Sequence, residues 1–183
     1  RSPEDVSLRR LVNFTISTAL KNAFEQVYGS PFIVKLLFAE IGASPEEDYL
    51  CTLNYDGAFA SVSESHARHG SPFTAVGGTK LSEKRMRAYF EKEVGSDKLP
   101  LGQALQRAVE CWQVGFSTPA NADKFERDHF PSAAEMKKQL KDSLKHRQVE
   151  AALLRREGQP SMRFQRIDEA EVRKSLKHLV QGS

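Results

Sequence analysis

Cysteine is scarce: Cys51 and Cys111 are the only two in 183 residues. Two isolated thiols, each inside an apolar run, do not make a disulfide framework or a zinc cluster, so buried free thiols in a reducing compartment are expected. Long apolar runs are missing too. None approaches the roughly 20 residues a bilayer span needs, and no secretory signal is visible. The expectation is a cytoplasmic protein with no membrane partner. Charge of one sign is nearly balanced: 27 Lys and Arg face 24 Asp and Glu, a net charge of +3. That excess is too small to imply nucleic acid without a concentrated patch. There is no Gly-x-Ser-x-Gly elbow for Ser-His-Asp chemistry, and no cue for a base that would activate either thiol. His66 and His69 lack a third ligand, so no metal is expected. Gly77-Gly78-Thr79 falls short of a phosphate-cradling loop, which wants more glycines and a lysine at set spacing, and no cofactor is expected. The chain begins Arg1-Ser2-Pro3 rather than with Met, so further residues are expected upstream.

What is present reads as one soluble domain over 1–183, with 39% hydrophobic and 28% charged residues. A helical stripe runs through Leu8, Leu11, Val12, Thr15, Ile16, Ala19, Leu20, Ala23, Phe24 and Val27. Gly29 is expected to end it as a left-handed cap, with Pro31 beyond. A meander of strands follows: Phe32 to Gly42, Tyr49 to Leu53, and Ala58 to Ser65. The turn Asn54-Tyr55-Asp56-Gly57 between the last two is the strongest hairpin signal in the chain, because glycine accepts the positive φ such turns need. The first strand is apolar on both faces and is expected to lie centrally. Ala75-Val76-Gly77-Gly78-Thr79 should turn a strand into a helix, with Thr79 or Ser82 capping the first amides.

Two antiparallel helices are expected next. Met86, Tyr89, Phe90 and Val94 form the inner face of the first, which stops at Gly95; Leu101, Ala104, Leu105, Ala108, Val109 and Trp112 form that of the second. From about 117 to 147 the chain is polar and then basic, and Ala133 to His146 reads as a surface helix with Met136, Leu140 and Leu144 apolar. No aromatics interleave its lysines, which argues against nucleic acid. A closing hairpin, Val149 to Leu154 and Arg163 to Ile167, precedes a last helix opened by Asp168 and Glu171 at capping-box spacing. Hairpins grouped apart from paired helices point to α+β architecture with antiparallel sheets.

In order along the chain, several segments are similar to one family. Asp5-Val6-Ser7 with Arg9, Leu11 and Asn13 resembles a helix start in the α-type subunits of bacterial proteasome core particles, of the actinobacterial kind that degrades pupylated proteins. Phe38-Ala39-Glu40-Ile41-Gly42, within Val34 to Gly42, resembles that family's Val-Ala-Glu-Val strand. Leu53-Asn54-Tyr55-Asp56-Gly57 is similar to its Thr-Tyr-Asp-Gly turn, and Val76-Gly77-Gly78-Thr79 to its Met-Gly-Gly-Thr. Val149-Glu150-Ala151-Ala152-Leu153-Leu154 and Arg163-Phe164-Gln165-Arg166-Ile167 resemble its closing hairpin.

The resemblance implies a four-layer αββα sandwich of two antiparallel sheets, of the Ntn-hydrolase type, with N-terminal hairpins upstream of this chain. It implies a non-catalytic subunit of a homo-heptameric outer ring, which gates passage of unfolded protein substrates to catalytic β subunits and docks a regulatory ATPase ring. The helix starting at Leu8 would lie at the contact between α and β rings, making Leu8, Leu11, Val12, Thr15, Ile16 and Ala19 candidate ring-contact residues. The polar and basic stretch 117–147 departs from the family by its length, and the gate and docking residues fall outside the chain. Two other readings stay open. One is a catalytic threonine hydrolase whose nucleophile lies upstream, since such chemistry needs a processed N-terminal Thr. The other is a stand-alone basic binding module using Lys137 to Arg147 and Arg155 to Lys177.

Overall fold

Ser7 opens the first helix: its hydroxyl accepts from the Arg10 N–H. In the computed structural model, which describes residues 7–62, 73–95, 99–120, 129–159 and 163–180, this helix continues in three pieces. They are α1 (Leu8–Arg10), a π-helical stretch Leu11–Ile16, and α2 (Ser17–Glu25). Val12 and Leu20 are buried, and Leu8 and Ile16 pack beside them. These four recur every fourth residue, a row that a regular α-helix would rotate by about 40° per step. The wider π turn takes up part of that drift and keeps the row on one side. The helix stops at Glu25, where Gln26 turns to extended backbone. Gly29 is not a left-handed cap: the positive-φ glycines among the described residues are Gly57, Gly95 and Gly158.

The strands β1 (Lys35–Glu40), β2 (Tyr49–Asn54) and β3 (Phe59–Val62) form one antiparallel sheet in the order β1-β2-β3. Phe38 faces Cys51, and Leu53 faces Phe59. Among the described residues the first strand therefore lies at an edge rather than centrally as expected. β2 is central, and its Tyr49, Cys51 and Leu53 alternate into the core, whereas Leu37 of β1 is 46% exposed. The apolar lead-in Phe32, Ile33 and Val34 lies outside the ladder and is exposed. The Asp-Gly turn forms as read: Gly57 has φ +81°, and the Asn54 N–H donates to Ala58 O at 2.8 Å. Residues 73–76 carry no strand, contrary to expectation, and the pair His66 and His69 lies outside the described residues.

The chain divides into two compact units, whose described residues fall within 7–62 and 73–76 for the first and 77–180 for the second. In the second, Thr79 and Ser82 form a reciprocal capping box at the start of α3 (Lys80–Glu93). Gly95, with φ +56°, ends it. α4 (Leu101–Phe116) runs antiparallel to α3: Met86 meets Gly115, Tyr89 bonds Glu110, and Glu93 pairs with Arg107. A Cβ at Gly115 would sit 2.5 Å from the Met86 sulfur, so a larger residue there would make the Met86 side chain move. The buried face of α4 is Val109, Cys111, Gln113 and Val114. Leu101 and Ala108, expected inside, are exposed, and Trp112 is half-buried.

α5 (Ala133–Ser143) opens on a Ser132–Glu135 capping box and ends before His146. The expected surface helix has a buried edge, for Met136 and Leu140 belong to the core and α5 packs on α4 and α6 (Glu169–Val180). The closing hairpin is shorter than expected, β4 (Ala152–Leu154) against β5 (Phe164–Arg166). Asp168 accepts from the Ala170 N–H at 2.8 Å to start α6, and Val172 and Leu176 are buried. The fold is α+β, and among the described residues it has two antiparallel sheets, one in each unit.

Candidate functional site

The helix α1–α2 is pinned to its sheet at both ends. At the start, the Leu8 N–H donates to both Glu40 carboxylate oxygens at 3.2 Å, an anion at the positive end of the helix. Arg9 lies over the Tyr49 ring, 5.1 Å from its centroid. Farther along, the Ser17 hydroxyl donates to Gly57 O at 2.6 Å, and Phe24 meets Tyr55 with ring centroids 5.4 Å apart. The inner row is thereby committed to the sheet, and the opposite face is left to the outside.

The six candidate contact residues divide along this line. Val12 is fully buried, and Leu8 and Ile16 are half-buried against the core it belongs to. Leu11, Thr15 and Ala19 are exposed. Beside them stands Phe14, 75% exposed, which the helical stripe had not included. Two residues from both Val12 and Ile16, it lies about 200° round the helix from the buried row, so the helical period itself already turns it outward.

Neither thiol is placed for nucleophilic work. Burial raises the pKa of Cys51, and pushes that of Cys111 up to about 12. The Cys111 S–H donates to Met86 O at 3.4 Å inside the helical unit. Thiols held protonated and out of water are poor nucleophiles. Among the described residues no group of three or more His, Cys, Asp or Glu could hold a metal, and no helix is long and apolar enough to cross a membrane.

Comparison with known proteins gives relatives of one kind. The chain is 33% identical over 117 residues to the proteasome subunit alpha of Frankia casuarinae, covering 59% of this chain and 44% of that one. It is 31% identical over 119 residues to that of Actinosynnema mirum, covering 65% and 40%. With that of Streptomyces scabiei it shares 32% over 108 residues, covering 59% and 38%. The chain thus spans less than half the length of these curated relatives. No family model matches it, and no solved structure does. The likeness to actinobacterial proteasome α-type subunits, read above from short motifs, is shown by these relatives.

Proposed function

We propose that this chain belongs to a non-catalytic α-type subunit of a proteasome core particle, working in the cytoplasm in the pathway that degrades pupylated proteins. Copies of it build a seven-membered outer ring. That ring stacks on catalytic β subunits, filters unfolded substrates on their way to the chamber, and receives a regulatory ATPase ring. The observation that carries this reading is the sustained similarity to several α subunits, at 31–33% identity over about three fifths of the chain. The two antiparallel sheets and the helix laid on the first are compatible with the four-layer αββα sandwich that the reading requires.

The exposed face of α1–α2 supplies the stacking contact: Leu11 and Phe14 offer apolar area, and Thr15 and Ala19 let another helix or sheet approach closely. Val12 has no share in it, because its side chain is already enclosed in the core.

The test is native mass measurement and negative-stain imaging of the purified protein, alone and with a β subunit. Sevenfold rings support the reading. A species that stays monomeric in both conditions overturns it. N-terminal sequencing and intact mass of the mature protein separate it from a threonine hydrolase, which would begin with Thr.

A further inference from the structure

We propose that the helical unit carries a docking cleft for an acidic peptide segment with an apolar anchor, centred on Trp112, Phe116 and Arg147. The site is independent of the ring contact above and uses no residue of it.

Two clefts meet at Arg147. The first, about 720 Å³, lies between α4 and the chain leading into β4; Leu105, Ala108, Val109, Leu144 and Val149 give it an apolar floor, and Glu150, which also lines it, is already paired with Arg166 at 2.9 Å. The second, about 740 Å³, is bounded by α6 and carries Lys145, Arg173 and Lys177. Arg147 lines both. Its guanidinium lies 4.3 Å from the centroid of Phe116 and 5.9 Å from that of Trp112, and it donates to Ser143 O at 3.3 Å. That grip holds the charge at the rim. Arg147 pairs with no carboxylate among the described residues, whereas Lys145 and Arg173 already pair with Asp142 and Glu169.

This pairing of an apolar floor with a fixed planar cation suits a carboxylate followed by an apolar side chain. The guanidinium fork binds a carboxylate in two-point fashion, and the floor takes the anchor. A nucleic-acid strand fits less well. It binds by stacking bases on open aromatic faces, but Trp112 and Phe116 stack on each other at 16° with centroids 5.2 Å apart, and Arg147 occupies the neighbouring face of Phe116.

Trp112 is the chain's single tryptophan, so its emission reports the cleft directly. The probe is a short synthetic peptide of Glu and Asp with one Leu-Phe anchor and no Tyr or Trp, titrated into the full chain. The expected result is a saturable blue shift that weakens with salt and needs the anchor, with affinity reduced about tenfold or more by Arg147→Glu. Circular dichroism checks the variant's fold. Where Arg147→Glu does not fold, Lys177→Glu on the second rim is read instead and should weaken binding in the same direction. The proposal is overturned by no shift at millimolar peptide, or by equal binding of a peptide lacking the anchor. It is equally overturned by an oligonucleotide of the same charge that binds as well, or by a shift that depends on protein concentration without peptide, which would mark the cleft as a contact between copies.

Discussion

The Ser17 hydroxyl donates to the carbonyl oxygen of Gly57 across forty residues of sequence, at 2.6 Å, and closes α2 onto the β2–β3 turn. The turn can approach this closely only because it ends in glycine. A Cβ at Gly57 would lie 2.7 Å from Ser17 O and 2.8 Å from the Lys21 Cβ, on a backbone with φ +81°. Clash and φ strain act together, so Gly57→Ala is expected to cost about 2 kcal/mol or more. Ser17→Ala, which removes only the hydrogen bond, is expected to cost about 1 kcal/mol. Urea denaturation of the two variants measures both. Equal midpoints would refute the packing argument.

Glu40 is an acid ending a strand whose middle, Leu36 to Ala39, is apolar, and its place follows from the helix it caps. Both of its oxygens accept from the Leu8 N–H at 3.2 Å. Glu40→Ala removes this cap and should lower stability by about 1 kcal/mol. Glu40→Gln keeps an acceptor but loses the charge, so it should fall between Glu40→Ala and the parent protein. The order of the three urea midpoints is the measurement.

α5 tests whether the long basic stretch is ornament or core. Leu140 is fully buried, so Leu140→Ala should cost about 3 kcal/mol through lost transfer and a cavity. Lys141→Ala next to it, on the exposed side, should stay within about 0.5 kcal/mol. A melting experiment in which the two variants behave alike would return the helix to the surface.

These elements also show what the sequence could reveal. The hairpin at Asp56-Gly57, the stop at Gly95 and the Thr79–Ser82 cap were legible because each depends on a few adjacent residues. Strand order was not. Phe32 to Phe38 is apolar enough to read as central, but which strand lies in the middle depends on pairing between distant segments, and Tyr49–Asn54 took that place. The face of α4 was misread for a related reason. Val109 of the expected stripe is buried, but Leu101 and Ala108 are not, and Cys111 and Val114 are buried besides, because α3, α5 and α6 all pack on this helix and their positions decide its inner face. Of the six residues named as candidates on the first helix, Val12 is buried, Leu8 and Ile16 are half-buried, and Leu11, Thr15 and Ala19 are exposed, a division set by packing on the sheet rather than by local sequence.

Alkaline pH should loosen the protein. Burial raises the pKa of Cys111 to about 12 from a usual value of 9.0, and that of Tyr89 is raised by burial and by the Glu110 carboxylate it bonds. The folded state therefore holds these protons more tightly than the unfolded chain. Their contribution is complete below pH 9.0 and is lost progressively as pH climbs toward 12. Stability measured by urea midpoint should fall across that window, and the fall should be shallower in Cys111→Ala, compared with its own value at pH 8. At pH 8 neither Cys51 nor Cys111 should react with a thiol reagent in the native protein, whereas both should react in urea. A rapid native reaction would contradict their burial.

Assembly should respond to the two faces of the first helix in opposite ways. Phe14→Glu and Ala19→Arg place charge on exposed positions of α1–α2. Their effect on the isolated subunit should remain within about 0.5 kcal/mol, while charge buried at a subunit contact opposes association strongly. Native mass should then show the ring species lost and a folded monomer retained. Val12→Ala acts on the inner row, where the side chain is fully enclosed with Tyr49, Cys51 and Leu53. It should lower thermal stability by about 1–2 kcal/mol and leave the mass of the assembly unchanged at low temperature. If Phe14→Glu and Ala19→Arg assemble like the parent protein, the exposed face of this helix is not where the rings meet.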